Sequence, residues 1–270
     1  MAKPHRLYIF TGKGGVGKTI LAKSFTRYLQ SLKFNAVYLT FASSALGDES
    51  TNNQIEEVDG IRHLALDLEK SAQGYIEKKL GSKMVASWII RTPFFRALVN
   101  MIPGFNYLIY LGQILELAEV DKSLIFVLDS PASGHALTMI EATSNFGQIF
   151  GAGLVFEDTN KMLSRLNDPE YAKVIIAALP TPMSWQESIE LKTSLGERTP
   201  IGCDIVLNNS LTGLFTNQEN IPHNLQEKLA FEEKLVSEQK DAIKATIPHS
   251  LHQSSEEIER ELLGSLSPLL

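Results

Sequence analysis

The octapeptide "GKGGVGKT" at positions 12–19 packs four glycines, two lysines and a threonine into eight residues. It fits the spacing G-x-x-x-x-G-K-[ST], whose chemistry is the capture of phosphate. Gly12, Gly14, Gly15 and Gly17 let the backbone wrap closely, so that successive N–H groups point inward. A helix starting near Gly17 adds the positive end of its dipole. Lys18 is placed to reach β- and γ-phosphates, and the Thr19 hydroxyl to ligate Mg²⁺. The expected binding stretch also takes in Val16 and Ile20. Asp129 closes the apolar run "SLIFVLDS", where a carboxylate is costly unless it serves a cation, so it is the expected partner of Thr19 at the metal. Lys13 is left over, since one lysine normally suffices to hold the phosphates.

The segments that must position these groups alternate between strand-like apolar runs and helix-period stretches, the pattern of a parallel sheet with crossover helices. "RLYIFTG" and "NAVYLTF" flank the helix that follows Lys18, and "IRHLALD" is a weaker third strand. "SLIFVLDS", "AKVIIAALP" and "GCDIVLNNS" are continuous apolar runs, as strands covered on both faces should be, and "DAIKATIP" is a last strand. The helix "SSEEIERELLGSL" follows, with Ser254 as N-cap and Glu256, Glu257 and Glu259 in its first turns. Residues 212–226 read as a surface loop. Residues 69–120 read as a helical insertion inside a single domain spanning 1–270. Within it, Thr92-Pro93 is a helix start and Pro103-Gly104 a break. Its apolar residues, among them Met84, Trp88, Phe94 and Leu108, suit self-packing with a dimer interface, and also a groove for a client protein.

A net charge of -6 argues against a nucleic-acid surface. The single cysteine, Cys203, permits neither a disulfide framework nor a cysteine metal site within one chain, and a reducing cytoplasmic setting fits. "MAKPHRLYIF" has no long apolar region before a cleavage site, so no secretory signal is expected. Residues 97–115 carry no charge, but the Pro-Gly break and Asn100, Asn106 and Gln113 argue for two short buried helices rather than an integral membrane segment.

The heptapeptide K-G-G-V-G-K-T resembles the deviant Walker A motif of the class that includes ParA/MinD partition ATPases, nitrogenase iron proteins and the ArsA family. That resemblance implies a P-loop NTPase fold with a mostly parallel sheet flanked by helices, ATP and Mg²⁺ as cofactors, and a dimer in which Lys13 reaches the partner's nucleotide. D-S-P-A-S-G-H, from Asp129 to His135, resembles the switch II of ArsA-like ATPases. The likeness places Ser133, Gly134 and His135 in switch II, where the Gly134 N–H would sense the γ-phosphate. His135 is either a relay to the helical insertion or a packing histidine. "VLNNS" places Asn208 where the family contacts adenine. "ALPTPMSWQESIELKTSL" and "IPGFNYLIYLGQI" resemble further family segments, so the likeness covers nearly the whole chain.

The departure lies after the second strand. The family's switch I carries S-T-D-P-A-H, and its Asp polarises water. Here "FASSAL" puts Ser43 at that position, with Asp48 five residues on. Serine cannot orient or deprotonate water as a carboxylate does, so weakened hydrolysis is expected. Two functions remain in play: a nucleotide-gated ATPase dimer that handles a partner or client, and a catalytically silent subunit paired with an active paralogue. A ParA/MinD-type positioning ATPase is disfavoured by the Gly-His and by the acidic final helix.

Overall fold

The computed structural model describes residues 3–42, 53–131, 137–143, 154–212, 214 and 221–270. Ser43, Asp48, Ser133, Gly134 and His135 lie outside the described residues. Strand β1 (Leu7–Thr11) enters helix α1 (Lys18–Ser31), and β2 (Asn35–Phe41) returns beside it. β3 (Glu56–Val58) and β4 (Ile61–Leu66) form a hairpin. Four helices follow: α2 (Leu68–Leu80), α3 (Lys83–Arg91), α4 (Pro93–Met101) and α5 (Phe105–Val120). After β5 (Leu124–Asp129) come α6 (Leu154–Leu166), β6 (Ala172–Ala178), α7 (Pro182–Arg198), β7 (Gly202–Ser210), α8 (His223–Glu238), β8 (Ile243–Pro248) and α9 (Ser255–Glu261).

The sheet order is β3-β4-β2-β5-β1-β6-β7-β8, and every pairing is parallel except β3 with β4. The continuous apolar runs are explained by cover on both faces. Leu7, Ile9, Val37, Leu39, Phe126 and Leu128 face the core shared with α5. Tyr8, Phe10, Tyr38, Ile125 and Val127 face Leu21, Phe25 and Leu29 of α1 on the other side. Because side chains alternate along a strand, each strand feeds both layers. β1 sits between β5 and β6, so its C-terminal end opens beside Asp129 and Ala177, where ligands of open α/β sheets bind.

The structure differs from the sequence reading in several elements. β3 was not expected: Asp59 and Gly60, with φ of 52° and 69°, make a two-residue hairpin turn that pairs Val58 with Ile61. Ser254 is the N-cap residue of α9, as expected, although its side chain makes no cap hydrogen bond. Glu259, expected in the first turns of this helix beside Glu256 and Glu257, is buried and accepts from Arg27 Nε at 2.5 Å, pinning α9 to α1. The chain goes on as a 3₁₀ helix over Leu262–Leu269. Helix α8 begins at His223, inside the stretch read as a loop.

The pair spanning 97–115 is also not two buried helices. Thr92 caps α4 as expected, accepting from Phe95 N, and Gly104 (φ 82°) starts α5. A Cβ at Gly104 would meet the Ala142 Cβ at 2.5 Å, so the break is also a close contact. α5 is buried along Tyr107, Leu108, Leu111 and Ile114, whereas α4 buries only Phe95. Among the described residues no single helix is long and apolar enough to cross a membrane; α4 and α5 reach that composition only together, and they are bent by 99°.

Candidate functional site

β1 delivers the chain to Gly12, whose φ of 143° and close approach to β6 both demand glycine: a Cβ there would lie 2.4 Å from the Ala177 carbonyl oxygen. Gly15 and Gly17 are also left-handed, at 82° and 88°. Gly17 is the N-cap of α1 and offers no side-chain acceptor to the first-turn N–H groups, which leaves them to an anion. Gly14 has no positive φ and, among the described residues, no neighbour within 4 Å of an added Cβ.

The Lys18 ammonium folds back over the loop and donates to the Lys13 carbonyl at 3.0 Å. Burial lowers its pKa, opposed by the charge of Asp129. At the first turn of α1 the Thr19 hydroxyl donates to Asp129 Oδ2 at 2.7 Å. The two residues come from different elements, 110 positions apart, and converge on one point beside the loop. A hydroxyl and a carboxylate suit Mg²⁺, which keeps several waters and takes few protein ligands. Val16 is buried, and its carbonyl accepts from Asn208 Nδ2 at 2.8 Å. Asn208 thus braces the loop from β7, and a Cβ at Gly17 would meet that same Nδ2 at 2.3 Å. Ile20 packs against the α1 face of the core.

Lys13 points away from this centre. Its Nζ contacts Glu187 Oε1 of α7 at 2.6 Å and Met183 Sδ at 3.6 Å, with about half of the side chain exposed. An ion pair this open contributes at most about 1 kcal/mol and breaks readily. The other Glu187 oxygen is buried without a hydrogen-bond partner among the described residues.

Tyr38 was missed by the sequence reading. Its hydroxyl donates to the same Asp129 Oδ2 at 2.9 Å. Burial, reinforced by the Asp129 charge, raises the pKa of the phenol far above its usual value, so it remains a donor. The register of β2 on β5 brings them together: Tyr38 lies opposite Val127, so it shares a sheet face with Asp129 two residues on. Removing the hydroxyl in Tyr38→Phe is expected to weaken Mg²⁺-dependent ATP binding about tenfold, the scale of lost support to a metal ligand. Titrations with Mg²⁺ and with a chelator check this; equal losses in both would reduce Tyr38 to a packing role.

A large cavity of about 1060 Å³ lies elsewhere, at the N-terminal edge of the strands among α2, α5 and α6. It includes no phosphate-loop residue. Its Asp158 is engaged by Lys79 at 2.7 Å and Tyr75 at 2.7 Å. Arg6, on its rim, donates to the carbonyls of Ala118, Asp121 and Leu124, closing the C-terminal end of α5. Asp158 and Arg6 are thus engaged within the fold.

No family model matches the chain. The chain is similar to arsenical pump-driving ATPases. It is 24% identical to the one from Acidiphilium multivorum over 263 residues, covering 90% of this chain and 41% of that protein. To one from Escherichia coli it is 26% identical over 221 residues, covering 77% of this chain and 35% of the relative. A second Escherichia coli protein of that name is 25% identical over 226 residues. The chain therefore spans less than half the length of the curated relatives it matches. Together with the mostly parallel eight-stranded sheet, this likeness supports a P-loop ATPase ancestry.

Proposed function

We propose that this chain is an ArsA-like ATP-binding ATPase that works as a nucleotide-gated dimer, coupling ATP binding to the handling of a partner or client. The observation that carries the reading is the convergence of Thr19 on Asp129 at 2.7 Å beside a loop already closed by Lys18. In this reading the loop backbone and Lys18 hold the phosphates, Thr19 and Asp129 hold Mg²⁺, and Asn208 serves the base as well as the loop. Bound Mg²⁺ would neutralise phosphate charge. Lys13 acts in trans, as the deviant Walker A likeness implies, and its exposed, weak pairing with Glu187 supports a side chain that can be redeployed. The partner is a second copy or a paralogue, and the setting is the cytoplasm. Ser133, Gly134 and His135 act as switch II.

Ser43 favours a second reading, a nucleotide-binding subunit with little turnover of its own. A ParA/MinD-type role fits less well, because α9 is held on α1 by Arg27 and Glu259 rather than free to serve as a basic membrane tail. Steady-state ATP turnover separates the two main readings. The wild-type chain is expected to be slow, and Ser43→Asp to raise turnover about 10²-fold by restoring a group that orients water. Fast wild-type turnover that vanishes in Lys18→Ala would exclude the silent subunit. No gain in Ser43→Asp would exclude Ser43 as the cause of weak hydrolysis.

A further inference from the structure

The helical elbow α3–α4 presents a surface that the nucleotide site does not use. Met84, Trp88, Phe94 and Met101 are 83%, 69%, 71% and 78% exposed. Exposed aromatic and methionine side chains grouped on adjoining helices mark a contact surface rather than scattered apolar residues. The elbow is anchored from beneath: Ile90 and Phe95 join Ala72 in a small core of their own. Met84, Trp88 and Arg91 follow one another at helical spacing along one side of α3, and Phe94 and Met101 share a side of α4.

Charge selects the occupant. From position 78 to 115 the chain holds five cations and no acidic residue, although its net charge is -6. Lys78 and Lys79 are spent on Glu116 and Asp158. Lys83, Arg91 and Arg96 have no ion-pair partner among the described residues. Two copies meeting through this face would set these cations against one another, since α3 and α4 carry no acidic residue. Amphipathic helices with Trp and Phe on one side and Lys and Arg beside them instead fit the interface of an anionic bilayer. The geometry points to the α3–α4 elbow as a peripheral docking surface for anionic phospholipid. Trp88 and Phe94 enter the headgroup boundary, and Lys83, Arg91 and Arg96 meet lipid phosphates. Docking requires no nucleotide, so it stands independently of the ATPase reading.

The test is flotation of the full chain with vesicles of phosphatidylcholine alone or mixed with phosphatidylglycerol, at low and high salt. The chain is expected to float with the mixed vesicles only, and to release at high salt as exposed charges are screened. Arg91→Gln/Arg96→Gln is expected to lower vesicle affinity about tenfold or more, as two cations leave the surface. Trp88 emission is expected to shift to the blue on binding, and Trp88→Phe to remove the shift, leaving half-buried Trp185 as the internal control. Thermal unfolding confirms that these surface variants fold. Equal flotation with both vesicle types, or none with either, would overturn the proposal. So would a Trp88→Ser/Phe94→Ser variant that loses self-association or peptide binding while vesicle binding is nil, since a protein would then cover the face.

Discussion

Lys18→Ala is expected to weaken binding of ATP with Mg²⁺ about 100-fold while leaving the fold intact. A hydrogen bond to a charged group contributes about 1.5–3 kcal/mol, and a desolvated charge pair about 2–5 kcal/mol when one partner is removed. At about 1.4 kcal/mol per factor of ten, the middle of that range gives the stated loss. The fold should survive, because among the described residues the Lys18 side chain makes one hydrogen bond, to the Lys13 carbonyl of its own loop. Calorimetric titration measures the loss, and the rise in melting temperature on adding ATP and Mg²⁺ should disappear with it. Lys13→Ala is the matched control. Its ammonium faces Glu187 rather than the loop, so binding by the isolated chain should change little.

Gly12→Ala is the second large effect, and Gly14→Ala its contrast. An alanine at 12 would take a left-handed φ of 143° and set its methyl 2.4 Å from the Ala177 carbonyl oxygen, which is backbone and cannot swing aside. Backbone strain of about 1–3 kcal/mol and overpacking of about 1–3 kcal/mol together destabilise by about 2–6 kcal/mol. The same shift would push the loop off β6 and disrupt phosphate binding. At Gly14 none of the described residues lies within 4 Å of an added Cβ, and φ is not left-handed. Gly14→Ala should therefore keep both melting temperature and ATP affinity near wild type. Urea unfolding and nucleotide titration of the two variants check the pair. Four glycines that read alike in sequence are thus expected to separate by role.

That contrast shows how much of the site was legible. The loop's phosphate chemistry is local, so residues 12–19 reveal it without any tertiary information. The strands were legible for a related reason: burial on both faces forces apolar residues into unbroken runs such as "LIFVLD". What escaped depends on distant parts of the chain. Nothing near Lys13 says that α7 will place Glu187 174 residues away against it. Glu259 reads as one more helix-start acid beside Glu256 and Glu257 because its partner, Arg27, lies 232 positions earlier. Tyr38 reads as one more core residue until its face on β2 is matched with Asp129 on β5. The Asp-Gly turn before β4 was a local signal and could have been read. In α3 and α4 the apolar content was visible but exposure was not, since amphipathic spacing does not say which side the rest of the fold covers.

The central claim is a dimer gated by nucleotide, and the mass of the chain isolated from its own cell tests it most directly. Light scattering would be run without nucleotide, with ATP alone and with ATP plus Mg²⁺, on wild type and on Lys13→Ala. The account predicts a two-subunit particle that forms with ATP and Mg²⁺ and is lost in Lys13→Ala, although that variant still binds ATP. A chain that binds ATP with full affinity and keeps one unchanged mass under all three conditions would contradict it.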